Sequence, residues 1–119
     1  MINGNLDQFL DTGWYCEATL YLDGYIYWCE GFTDFNKNVT YHFMDKWRAV
    51  NEDNLYYHSI LEKDGTIHRS RVYEDSDSDI NQIKKRFLKA KLFNNKSFWE
   101  AESKLAWLDE ANPIYEPND

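Results

Sequence analysis

Asp23-Gly24 constrains this chain more than any other pair of residues. It stands inside 14–32 between two runs rich in aromatic and β-branched side chains, and Asp-Gly supplies the positive φ angles that a two-residue hairpin loop requires. Counting outward from that turn, Leu22 faces Tyr25, Leu20 faces Tyr27 and Ala18 faces Cys29, while Tyr21, Ile26, Thr19 and Trp28 share the other side. Both sides carry bulk, as expected of a central hairpin covered on one face and partly buried on the other.

The pattern of run, turn and run recurs at Asp64-Gly65 within 55–73. A two-residue loop there pairs Leu61 with His68, a three-residue loop with Gly65 in a bulge pairs Leu61 with Ile67, and the residues permit either. Between the hairpins Val39, Tyr41 and Phe43 alternate with Thr40, His42 and Met44, which predicts a strand region over 39–50.

After Tyr73 the period lengthens. Asp77 or Ser78 can cap a helix over about 78–93, in which Ile80, Ile83, Phe87 and Ala90 recur at helical intervals. Ser97 with Glu100 makes a capping box that opens a helix over about 97–110, striped by Phe98, Ala101, Leu105 and Leu108. Asn112-Pro113 closes it, and 112–119 is an acidic tail. A short N-terminal helix over 6–10 is capped by Asn5 and stopped by Gly13. The expectation is a single α+β domain over 1–119: an antiparallel sheet of four to five strands, built from two Asp-Gly hairpins and packed with two C-terminal helices and a short N-terminal one.

A chain of 119 residues can bury one core without disulfides or metals. Its two cysteines, Cys16 and Cys29, are not set opposite one another and are expected as reduced thiols. The first ten residues lack a basic start followed by an apolar stretch, and no run approaches a membrane span, so a cytoplasmic protein is expected.

Composition carries a conflict. Aromatic residues make up 18% of the chain, yet 21 Asp and Glu stand against 13 Lys and Arg, for a formal net charge of −8. Rings need burial or a partner, and surplus carboxylates need water or a cation. An acidic surface bearing rings would meet a basic protein, charge steering the encounter and rings supplying contact area.

The candidate residues follow from that. Glu74, Asp75, Asp77 and Asp79 lie in the densest acidic run, expected as a loop leading into a helix and offered as a partner contact. An EF-hand reading fails because Ile80 and Arg86 occupy the glycine and glutamate positions. Glu17 falls opposite Glu30 in the hairpin register, an unfavourable like-charge pair that a basic partner, a cation or acid–base chemistry would relieve. Tyr56 and Tyr73 are candidate aromatic anchors.

Five bases and no acid lie between Ile80 and Leu92, but the overall field opposes a polyanion, so no direct nucleic-acid contact is expected. His42, His58 and His68 have no recognised metal spacing. No phosphate loop, nucleophile elbow or cofactor fingerprint is present, so no metal, cofactor or catalytic residue is assigned.

In charge and aromatic content the chain is similar to bacterial immunity proteins as a functional class. That likeness is one of composition and assigns no residues. It implies a non-enzymatic inhibitor, monomeric or weakly dimeric, that occludes a nuclease or toxin domain. The alternatives are a ligand-binding or catalytic α+β domain with a cavity lined by Tyr27, Trp28 or Tyr57, and a homo-oligomeric interaction module.

Overall fold

The computed structural model describes residues 1–49 and 69–108. They form a five-stranded antiparallel sheet with helices, an α+β fold. The strands are β1 (Ala18–Leu22), β2 (Tyr25–Asp34), β3 (Val39–Arg48), β4 (Ser70–Asp77) and β5 (Ala106–Leu108), in the spatial order β4-β3-β2-β1-β5. The helices are α1 (Leu6–Gln8), which runs into a π-helical turn at Phe9–Gly13, then α2 (Ile80–Lys89) and α3 (Phe98–Ala101).

The first hairpin has the register that its turn dictates. Leu22 pairs with Tyr25, Leu20 with Tyr27 and Ala18 with Cys29, with Asp23 at φ 49° and Gly24 at φ 87°. β2 then pairs with β3 over ten residues, from Tyr25–Arg48 to Asp34–Val39. Asp64-Gly65 and most of the second predicted hairpin lie outside the described residues. Its distal run reaches the sheet as β4, shifted along the chain from the predicted end at Tyr73 to Asp77.

One face of the sheet carries Ala18, Leu20, Leu22, Tyr27, Cys29 and Met44. Phe9, Trp14, Ile83, Phe87, Phe93, Phe98 and Leu105 pack upon it as the main core. The other face holds a smaller cluster of Ile26, Trp47, Ala106 and Leu108, flanked by Tyr21 and Trp28. Burying rings such as Phe9, Phe87, Phe93 and Phe98 contributes about 2–3 kcal/mol each from area removed from water.

The helices depart from the expected boundaries. α2 begins at Ile80, with Asp79 as its cap in place of Asp77 or Ser78: the Asp79 carboxylate accepts from the Asn81 N–H at 2.9 Å. It ends at Lys89, four residues early, because Phe93 turns back onto Lys96 through two backbone hydrogen bonds, with Asn94 and Asn95 both left-handed. The Ser97–Glu100 capping box forms. The helix it opens, expected to reach residue 110, stops after Ala101 and one 3₁₀ turn, Glu102–Lys104. Leu105 and Leu108 are buried as the stripe requires. Ala106–Leu108, however, takes the open edge of β1 as a strand, and pairing there outweighs local helical spacing. The short N-terminal helix is capped by Asn5 as expected, its side chain accepting from the Gln8 N–H at 2.9 Å.

Candidate functional site

The acidic run that sequence marked as a loop is mostly strand. Glu74, Asp75 and Asp77 lie on β4, paired with β3 through Phe43, His42 and Thr40. Strand alternation sends Asp75 and Asp77 toward α2, where the Arg86 guanidinium bonds Asp75 at 2.7 Å and Asp77 at 3.0 Å. Asp77 also accepts from the Asp79 N–H, and these bonds hold its carboxyl below the usual carboxylate range. Two of the four candidate acids thus fasten β4 to α2, and a third, Asp79, caps that helix. Only Glu74 faces the other way, with its side chain 69% exposed and bonded to Arg71 at 2.7 Å.

The remaining candidates separate. Tyr56 lies outside the described residues. Tyr73 is half-buried at the rim of the main core, its ring against His42 and Phe87 and its hydroxyl donating to Asp75 at 3.2 Å, so it packs the fold rather than standing free as an anchor. Burial and the Asp75 carboxylate push that hydroxyl pKa upward.

Glu17 and Glu30 are not opposed in the ladder. Pairing stops at Ala18–Cys29, because Glu17 at φ 57° turns the chain out of the strand. Their side chains still meet beside Cys16: one ligand atom from each of the three lies within 4.8 Å of the others. The Cys16 thiol donates to Glu30 at 2.7 Å, and desolvation with this bond raises its pKa to about 11. A thiol with two carboxylates is a donor set that could hold a borderline divalent cation. Both cysteines are free, as expected from their spacing.

His42 belongs to the core. It is 1% exposed among Trp14, Tyr15, Tyr73 and Phe87. Its Nε2 lies 3.1 Å from the Trp14 carbonyl, which only accepts, so the proton is on Nε2 and Nδ1 is left buried without a partner. Desolvation lowers its pKa to about 4. His58 and His68 lie outside the described residues, as does Tyr57. Of the other residues proposed to line a ligand cavity, Tyr27 is 1% exposed and packs on Phe93, while Trp28 borders the smaller cluster.

Trp99 on α3 and Tyr25 at the first turn are exposed singly, whereas rings gather on the face of β2, β3 and β4 that turns away from α2. Cross-strand pairing sets Ser76, Tyr41 and Phe32 in one row and Glu74, Phe43 and Glu30 in the next. Phe32, 54% exposed, stacks on Tyr41 with centroids 4.9 Å apart. The Arg71 guanidinium lies 4.1 Å from the Phe43 centroid and bonds Glu74. Its Nε bonds the buried Asp45 carboxylate at 2.5 Å, and Arg69 reaches the same carboxylate. Phe32, Tyr41, Phe43, Arg71, Glu74 and Ser76, with His42 and Asp75 behind them, line an open depression of about 550 Å³.

At the β2–β3 tip Phe35 is 89% exposed. The Asp34 carboxylate accepts from the Asn36 and Lys37 N–H groups, which fixes the tip that carries it. Sequence reading passed over Phe32, Phe35, Tyr41, Phe43 and Arg71. One signal was available: Phe35 is a lone ring among turn formers in Asp34-Phe35-Asn36-Lys37-Asn38, where nothing local can bury it.

Comparison with known proteins finds no significant match to a family model, a curated protein or a solved structure. Among the described residues no helix is long and apolar enough to cross a membrane.

Proposed function

We propose that this chain is a non-enzymatic binding domain of the inhibitor or immunity type, which occludes a basic protein through the aromatic end of β2 and β3. The observation that carries the reading is the exposed ring set: Phe35 held out at a fixed tip beside the Phe32–Tyr41 stack. Rings on a rigid strand pair lose little side-chain freedom when covered, which is what binding anchors require. A net charge of −8 favours a partner with a cationic surface, and a nuclease or toxin domain has one because its substrate is a polyanion. Free thiols at Cys16 and Cys29 suit action in the cytoplasm.

The contact assigned to Asp75, Asp77 and Asp79 moves with this reading to Glu30 and Glu74, which share the face with the rings. The test begins with affinity capture from the native host at low salt and elution in a salt gradient. The purified partner is then measured against Phe32→Ser and Phe35→Ser by surface plasmon resonance. The expected result is dissociation faster by about tenfold or more with association little changed. Unaltered dissociation in both variants overturns the assignment of this face. Concentration-dependent sedimentation of the protein alone, abolished by the same substitutions, would assign the face to a second copy instead.

A further inference from the structure

The depression beside Phe32 and Tyr41 has an internal precedent for what it can hold. One row along the same face, Arg71 lays its guanidinium over the Phe43 ring and bonds Glu74, so the lattice of rings flanked by carboxylates already accommodates one planar cation. The neighbouring seat repeats these elements. Its floor is the Phe32–Tyr41 stack, and Glu74 stands diagonally across from Tyr41 in the wall of the depression. Among the described residues, the bond Glu74 accepts falls on Oε1, which leaves its second oxygen for a further donor.

Resting on the function proposed above, we infer that this depression receives an arginine side chain of the basic partner, its guanidinium stacked on the Phe32–Tyr41 pair and donating to Glu74. The chemistry selects arginine over lysine. A planar guanidinium lies flat on a ring and offers several donors in a fixed fork, whereas an ammonium is a compact, strongly hydrated charge. The opening, about 550 Å³, is large enough for one such side chain with water around it. Among the described residues its lining carries two carboxylates, Glu74 and Asp75, and one cation, Arg71, which is engaged by Asp45 and Glu74.

The test uses the intact protein and short peptide amides, Gly-Arg-Gly, Gly-Lys-Gly and Gly-citrulline-Gly, titrated at low salt while backbone amide shifts are followed by NMR. The expected result is saturable shifts confined to residues 30–32, 41–43 and 74–76 with the arginine peptide. Affinity should be at least about fivefold weaker with lysine and absent with citrulline, which keeps the shape and loses the charge. Tyr41→Ala and, independently, Glu74→Gln should each weaken the arginine peptide by about fivefold, with unchanged circular dichroism as the check on folding. Equal response to arginine and lysine, or shifts spread over the whole surface, overturns the seat, as does full affinity in both variants. Because the probe needs no partner, a silent titration beside successful capture sinks the seat alone. A positive titration beside failed capture sinks the inhibitor reading and leaves the seat standing.

Discussion

His42 shows how one side chain can tie stability to pH. In the fold its pKa lies near 4, and in an unfolded chain near the ordinary 6.5, because desolvation among rings disfavours the imidazolium. The unfolded chain therefore takes up the proton first. Stability is undiminished above pH 6.5, falls as pH drops through 6.5 toward 4, and levels off once the native ring also protonates. The gap corresponds to a loss of about 3 kcal/mol across that window. Denaturant unfolding at pH 7 and pH 5 should show most of it, and His42→Phe should flatten the dependence between those values. An equally steep dependence in the variant would place the sensitivity elsewhere. The same scale explains what sequence could and could not show. Ala18 opposite Cys29 follows from a turn whose geometry is local, whereas the left-handed Glu17 that removes it from Glu30 has no sequence signature. Tyr73 and Phe32 are both strand rings, and only the packing of α2 against one face decides which is covered.

At Gly31 the constraint is steric: a Cβ there would come within 2.3 Å of the Tyr15 ring. Gly31→Ala should displace Tyr15 from the His42 cage and cost about 1–3 kcal/mol, read by thermal or chemical unfolding. Stability equal to the parent would mean that the ring moves freely.

Elements were legible where their limits are set by neighbouring residues. The Asp-Gly turn and the Asn5 and Ser97 caps belong to that class, and each forms. Limits set by distant partners were not legible. α3 ends because the edge of β1 recruits Ala106–Leu108, and the acidic run becomes strand because Glu74–Asp77 pair with β3. The joint between β4 and α2 gives a graded prediction. Asp79→Ala removes the cap of α2 and should lower stability by about 1 kcal/mol in denaturant titration. Arg86→Met breaks two exposed ion pairs and should cost less, and its cost should shrink in high salt. A larger loss from Arg86→Met than from Asp79→Ala would show that the guanidinium, and not the cap, secures the helix.

Across the whole molecule, charge is divided: α2 and its flank are basic, and the excess acid lies on the rest of the chain. On the proposed reading, a basic partner approaching the ring-bearing face would be steered by that excess. Raising ionic strength from about 0.05 to 0.3 M should therefore slow association severalfold and leave dissociation nearly constant, as stopped-flow mixing can measure. Salt-independent association would detach the field from recognition. Composition made the coexistence of rings and acids visible from the outset. Which rings reach the surface depended on the stacking of layers, and residue counts do not contain that.

The short β5 closes the sheet from far along the chain. On one side it bonds β1, and on the other Ile2 donates to Leu105 at 2.7 Å and accepts from Trp107 at 3.0 Å. Trp107 also lies over Gly4, Gly13 and Phe9. The β1–β2–β3 meander can assemble from neighbouring segments, whereas this clasp must bridge nearly the entire described chain and bear the loop-closure entropy of doing so. The ring-bearing strands thus close with the smallest loss of chain freedom in the sheet, and the opening segment with the largest.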